Sequence, residues 1–409
     1  MKHKTGQQKQ LFRLGVLAAA VCSAGIALGQ DQPPSTEEMW RIIQEQRREI
    51  DDLKARQSQT DEKIEATGDR IEEIATDKPA GGGMVEGWWN RTSVGGYGEL
   101  HYNGGRRDEI DFHRFVLFFG HQFSDRMRFF SEVELEHSLA GESKPGEVEL
   151  EQAFVEFDIA DRGQARLGLF LLPIGILNET HEPPTFFGVE RNIVETDVIP
   201  TTWWEGGAGG HAILGRGFSA DLAFHSGLKV DPASFTIRGG RQKVANARAE
   251  DPAVTGRLKW TGLPGVELAL SAQYQDDLTQ GGATAASATL LETHASVRRG
   301  PLWLRALYAR WDIDGTAARN LGRDEQYGWY IEPGYIFTTR KGDVGFFARY
   351  SQVDNTAGDA ADSKRKQTDV GVNYWPHPQV VLKADYQIED RPAGQVDDDR
   401  INLGVGLMF

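Results

Sequence analysis

The sequence predicts an all-β fold, a transmembrane antiparallel up-and-down β-barrel of about 16 strands preceded by a short N-terminal coiled-coil helix. Three observations carry that prediction. From Ser93 onward, aromatic and β-branched residues sit at alternate positions in segments of roughly 10 to 14 residues. The connections between these segments alternate between short and long. The last segment ends on an aromatic residue, Phe409.

Bulk composition agrees with strands rather than membrane helices. The 409 residues are 39% hydrophobic with a mean hydropathy of −0.46, too polar for a bundle of apolar helices. Residues 1–29 carry Lys2, Lys4, Lys9 and Arg13, then the apolar run Leu14 to Leu28, and read as a secretory signal peptide cut near Gly29. Cys22, the one cysteine, lies in that segment and follows Val21, where a lipoprotein signal places a small residue, so disulfides and thiolate metal sites are not expected. Loss of those four basic residues takes the net charge from −15 to −19, which argues against nucleic acid as a partner.

Residues 30–76 form the expected coiled-coil helix. Ile43, Ile50, Ile64 and Ile71 occupy one heptad position, with Met39, Leu53 and Ile74 at the other, while Gln46, Gln57, Thr60 and Thr67 interrupt the seam. A helix with so narrow an apolar stripe needs a partner helix to cover it, and the pattern does not choose between dimer and trimer. Residues 77–91 follow as a Pro/Gly-rich linker, and residues 92–409 as the barrel.

Sixteen strands are expected near 93–103, 108–123, 126–139, 147–160, 164–173, 206–214, 217–228, 250–260, 264–277, 287–299, 301–313, 325–339, 343–354, 365–376, 378–390 and 397–409. Seven short links, such as Asp161-Arg162-Gly163 and Pro376-His377-Pro378, alternate with longer ones near 140–146, 174–205, 229–249, 278–286, 314–324, 355–364 and 391–396. Short turns on one side and long loops on the other, with both ends on the short side, is the outer-membrane pattern. In the last strand Ile401, Leu403, Val405, Leu407 and Phe409 alternate with smaller or polar residues, and a terminal Phe409 suits an outer-membrane insertion signal. Trp88, Trp89, Trp260, Trp303, Trp311, Trp329 and Trp375 lie near strand ends and are expected to form interfacial girdles.

A barrel of this size is too wide for its own strand side chains to fill, so it holds a channel unless something plugs it. The link from Ile174 to Glu205 is too long for an ordinary connection and carries Glu179, Glu182, Glu190, Glu195 and Asp197 against Arg191. It is expected to fold inward as a constriction loop, pinned by Phe186, Phe187, Ile193 and Val194. Alternation places Arg128, Glu132, Glu134 and Glu136 on the inner face of the third strand, and Arg257, Lys259, Arg305, Arg349 and Lys383 on the inner faces of later strands. The resulting expectation is a transverse field that favours small polar solutes. The histidines are scattered, with no pair at helical ligand spacing, so no catalytic constellation, metal site or cofactor is expected and the chain is not read as an enzyme.

Ser93-Val94-Gly95-Gly96-Tyr97-Gly98-Glu99-Leu100-His101, Phe112-His113-Arg114-Phe115, Leu150-Glu151-Gln152-Ala153-Phe154-Val155-Glu156 and the stretch from Leu169-Phe170 to Pro173-Ile174-Gly175 resemble the opening strands of the phosphate-selective porin O and P family. The resemblance covers roughly residues 88 to 409 and implies a sixteen-stranded trimer with the third loop inside the pore. It implies an outer-membrane porin, a water-filled channel for passive diffusion of small hydrophilic solutes or ions, phosphate and other anions among them. Expected partners are outer-membrane lipid and lipopolysaccharide, further copies of the chain as a homotrimer, and the solutes themselves. The alternative is a structural envelope protein whose periplasmic coiled coil, residues 36–76, contacts peptidoglycan.

Overall fold

The computed structural model describes residues 88–282 and 284–409. The signal peptide, the coiled coil with its peptidoglycan contact, and the linker up to residue 87 lie outside the described residues. A short 3-10 turn, Trp88–Arg91, leads into the first strand.

Sixteen strands follow in chain order: β1 Thr92–Gly104, β2 Glu109–Ser124, β3 Met127–Glu136, β4 Val148–Ala160, β5 Gly163–Leu171, β6 Trp204–Gly215, β7 Phe218–His225, β8 Ala253–Trp260, β9 Val266–Gln275, β10 Ser287–Arg299, β11 Leu302–Asp314, β12 Glu325–Thr339, β13 Gly342–Asp354, β14 Arg365–His377, β15 Val380–Asp390 and β16 Arg400–Met408. Each pairs antiparallel with its sequence neighbour, and β1 pairs with β16 to close the barrel. Closure leaves no strand edge unpaired, which is what a sheet in hydrocarbon requires.

The seam needs close backbone approach. Phe409 and Gly96 exchange backbone hydrogen bonds of 2.9 and 3.0 Å just beyond the last β16 pair. A Cβ on Gly96 would lie 2.3 Å from the carbonyl oxygen of Val116 and 3.0 Å from the Phe409 ring. The Phe409 ring itself is exposed on the outer surface and stacks near Phe115.

Alternation divides each strand between two environments. Leu222, Phe224, Leu270, Leu291, Ile331, Val370, Ile401 and Leu403 are exposed on the outer face, a continuous apolar belt of the kind that meets lipid. Inner-face side chains midway along the strands, such as Glu132, Ser271, Leu307, Ser351 and Asn402, are buried, while those near the strand ends are partly exposed. The largest apolar cluster lies inside, where Leu172, Ile174, Val194, Val198, Ile199 and Trp203 of the loop after β5 and Leu228, Val230, Phe235 and Ile237 of the loop after β7 meet Leu290, Leu307, Trp311 and Tyr330 of the wall. Burying each such side chain contributes about 1.5–3 kcal/mol, enough together to hold two long loops inside.

Several boundaries shift for this reason. The third strand ends at Glu136 rather than residue 139, because His137 and Ser138 turn at positive φ. The seventh ends at His225 rather than 228, since Leu228 leaves the wall for the interior cluster. The tryptophans also divide. Trp311 and Trp375 are buried inside and Trp303 packs on the loop residue Phe187, so these three are loop anchors rather than girdle residues. Trp260 and Trp329 remain on the outer side, beside Phe218 and Tyr350.

Candidate channel constriction

The loop after β5, residues 172–203, is braced from within. The Asn178 amide donates to the carbonyls of Leu172 and Trp203 at 2.8 and 2.9 Å and accepts from the Trp203 N–H at 2.6 Å, tying the two ends of the loop together. Glu195, wholly buried, accepts from the N–H groups of Ile176 and Leu177 at 2.7 and 2.6 Å, from Asn192 at 3.1 Å and from the Tyr330 hydroxyl at 2.9 Å. Its charge is met by four donors and serves loop geometry rather than an open lumen.

The wall grips this loop through aromatic and basic side chains. Phe187 packs against Trp303, Phe347 and Trp375 with ring centroids 5.1, 5.2 and 5.9 Å apart. The indole N–H groups of Trp311 and Trp375 donate to the carbonyls of Val198 and Pro184 at 2.9 and 3.0 Å. Arg349 pairs with Asp369 at 2.9 Å and Glu332 at 3.2 Å, and donates to the carbonyls of Phe187 and Glu190. Arg257 bridges Asp221 and Glu179, and Arg305 donates to the Thr185 carbonyl at 2.8 Å. Lys383 lies 3.6 Å from the Phe186 ring centroid, and Arg365 holds Asp197 at 2.7 Å. The Glu182 side chain is half-buried at a short helical turn. Glu190 receives hydrogen-bonding contacts from His101 and Asn103 at 3.2 and 2.9 Å. Burial would raise its carboxyl, but these contacts hold it down at about 2.

The later-strand bases expected to set up a transverse field reach the loop after β5, Arg257 through Glu179, Arg305 through the Thr185 carbonyl, Arg349 through the Phe187 carbonyl and Lys383 over the Phe186 ring. Lys259 does not reach that loop: half-buried near the short-turn mouth, it pairs with Glu267 at 3.7 Å. Arg128 likewise sits near the short turns, paired with Glu156 and Asp158.

Opposite them, β3 and β4 present a ladder of acids. Register sets Glu134 against Glu149, and a bulge between Glu132 and Val133 brings Glu151 alongside Glu132. Three overlapping groups result, Glu136 with Glu147 and Glu149, Glu134 with Glu149 and Glu151, and Glu132 with Glu151 and His181, each with ligand-type atoms within 4.8 Å. Arg114 reaches Glu134 at 3.6 Å and Glu99 at 2.8 Å.

The loop after β7, residues 226–252, was not expected inside. Its Arg238 donates to the carbonyls of Thr196 and Thr201 at 3.1 and 2.9 Å, fastening it to the loop after β5. Gln326 of β12 donates to the Phe235 carbonyl at 3.0 Å. Lys243 then crosses to the acidic wall, pairing with Glu149 and, at 2.8 Å, with Glu147. Burial lowers Arg241, while Glu149 and Glu151 pull it back up. Leu228, Val230, Phe235 and Ile237 were the available signal for this infolding, a run of apolar residues in a connection otherwise polar.

The interior thus has two charged mouths and a filled waist. Asp111, His113, Glu136, His137, Glu147 and Lys243 are partly exposed at the long-loop mouth. The waist sets acids of β3 and β4 against bases carried by two infolded loops, a layout suited to sorting small polar species by charge.

No family model matches the sequence. The barrel is similar to Salmonella typhi OmpF in complex with daunomycin (TM-score 0.56, 14% identity, covering 78% of this chain and 97% of that one). It is also similar to the anion-selective porin from Comamonas acidovorans (TM-score 0.55, 13% identity, 78% and 99%). A third similar structure is the outer membrane channel DcaP of Acinetobacter baumannii (TM-score 0.53, 11% identity, 78% and 97%). At these identities the likeness is one of fold. In sequence, an uncharacterized protein of Aquifex aeolicus is 30% identical over 364 residues, covering 78% of this chain and 80% of that protein, and the chain belongs to the same family as that protein.

Proposed function

We propose that this protein is an outer-membrane porin, a non-enzymatic channel for passive diffusion of small hydrophilic solutes and ions, with residues 30–76 on the periplasmic side. The observation that carries this reading is a closed sixteen-stranded barrel with two long loops folded inside it, so that charged groups rather than bare strands define the passage. The apolar outer belt supports a membrane location. A homotrimer belongs to the same reading, supported by the likeness to Vibrio cholerae OmpT, which was obtained in a trimer form (TM-score 0.53, 8% identity).

Anion or phosphate selectivity needs bases free to meet the anion. Arg257, Arg305 and Arg349 are already engaged and Lys383 lies buried over the Phe186 ring, whereas β3 and β4 carry three overlapping acidic groups. The proposal is therefore a preference for cations. A reversal potential measured across a potassium chloride gradient tests it: a sign corresponding to cation flow is expected, and anion preference, or its appearance with phosphate as the only anion, would overturn it.

A further inference from the structure

Histidines that are far apart in the sequence meet at the long-loop mouth. His113 of β2 and His137 of the loop after β3 both direct Nδ1 at one oxygen of Asp111, at 3.3 and 2.7 Å. Ligand-type atoms of the three residues lie within 4.8 Å of one another. The arrangement is held by backbone, because the His137 N–H donates to the His113 carbonyl at 3.0 Å. The two rings stand at 85° to each other, and His101 stacks on His113 with centroids 4.8 Å apart. Side-chain exposures of 25%, 20% and 32% for His113, Asp111 and His137 leave the group reachable from solvent.

We propose that Asp111, His113 and His137 form a binding site for a divalent first-row transition-metal ion, zinc or a similar borderline cation. Two imidazoles and a carboxylate are a donor set such ions prefer, and the remaining position is left for water. Bonds of about 2.0–2.1 Å in a tetrahedron put neighbouring ligand atoms about 3.3–3.4 Å apart. The His113–Asp111 separation of 3.3 Å already has that value, and the His137–Asp111 separation of 2.7 Å needs to open by about 0.6–0.7 Å. Two imidazole nitrogens converging on one carboxylate oxygen mark the place a cation takes when it displaces the protons held there. Glu136, with an oxygen 3.9 Å from His137 Nε2, lies beyond hydrogen-bond reach but adds negative charge beside the group.

The inference does not depend on whether the barrel conducts. Its test is calorimetric titration of Zn2+ into the mature protein, untagged, stripped with a chelator and kept in detergent. One ion per chain is expected, with Asp111→Asn, His113→Gln and His137→Gln each weakening affinity at least tenfold and His377→Ala leaving it unchanged. Each variant is checked for the compact, heat-modifiable barrel by gel mobility, and His113→Ala serves where the glutamine variant fails to assemble. A flat titration of the parent protein, or undiminished affinity in assembled variants of His113 and His137, would overturn the proposal.

Discussion

Arg349 is enclosed between the wall and the loop after β5, with Asp369, Glu332 and two loop carbonyls as its partners. Truncating it leaves Asp369 buried without its counter-charge and Glu332 with only Arg305, 4.0 Å away, a change that costs about 3–5 kcal/mol. Arg349→Ala is therefore expected to lower the heat-denaturation temperature of the detergent-solubilised barrel and to loosen the loop, seen as new protease cleavage near Phe187. Arg349→Lys should recover only part of the loss, because an ammonium lacks the planar fork that reaches both sides. Unchanged stability in Arg349→Ala would show that the interior packing does not rest on this ion pair.

Among the elements, the β1–β16 seam and the loop after β7 make separate predictions. Gly96→Val places side-chain atoms against the Val116 carbonyl and the Phe409 ring, so the yield of heat-modifiable barrel should fall sharply, while Gly239→Ala, at a loop glycine where an added Cβ would meet nothing nearer than 3.8 Å, should cost far less. Lys243 neutralises part of the Glu147–Glu149 group, so Lys243→Glu should move the reversal potential further toward cations, with no movement if that group lies off the passage. The strands were legible in the sequence because a two-residue period between lipid and interior leaves a mark on every one of them. The infolding of residues 226–252 was not, since an apolar residue such as Leu228 at the end of a strand reads as a continuation of that strand. Inward Trp311 and Trp375 misled for a related reason: a tryptophan near a turn has the same sequence neighbourhood whether it faces lipid or a packed loop. Engagement of Arg257 by Glu179 and the meeting of His113 with His137 depend on contacts between distant segments, which local pattern does not encode.

At the scale of the barrel, exposed apolar side chains outside and a charged, loop-filled interior make one closed sheet, and the proposed function implies a permeability set by the loops rather than by the strand count. A barrel of sixteen strands with an open lumen would pass large currents, and one with this packed waist should pass small ones. The most direct test is single-channel recording in planar bilayers of the parent protein beside a variant in which residues 229–249 are replaced by a short Gly/Ser link. The account predicts small, cation-preferring steps for the parent and clearly larger, less selective steps for the variant. Steps of equal size in the two, or none in either, would contradict it.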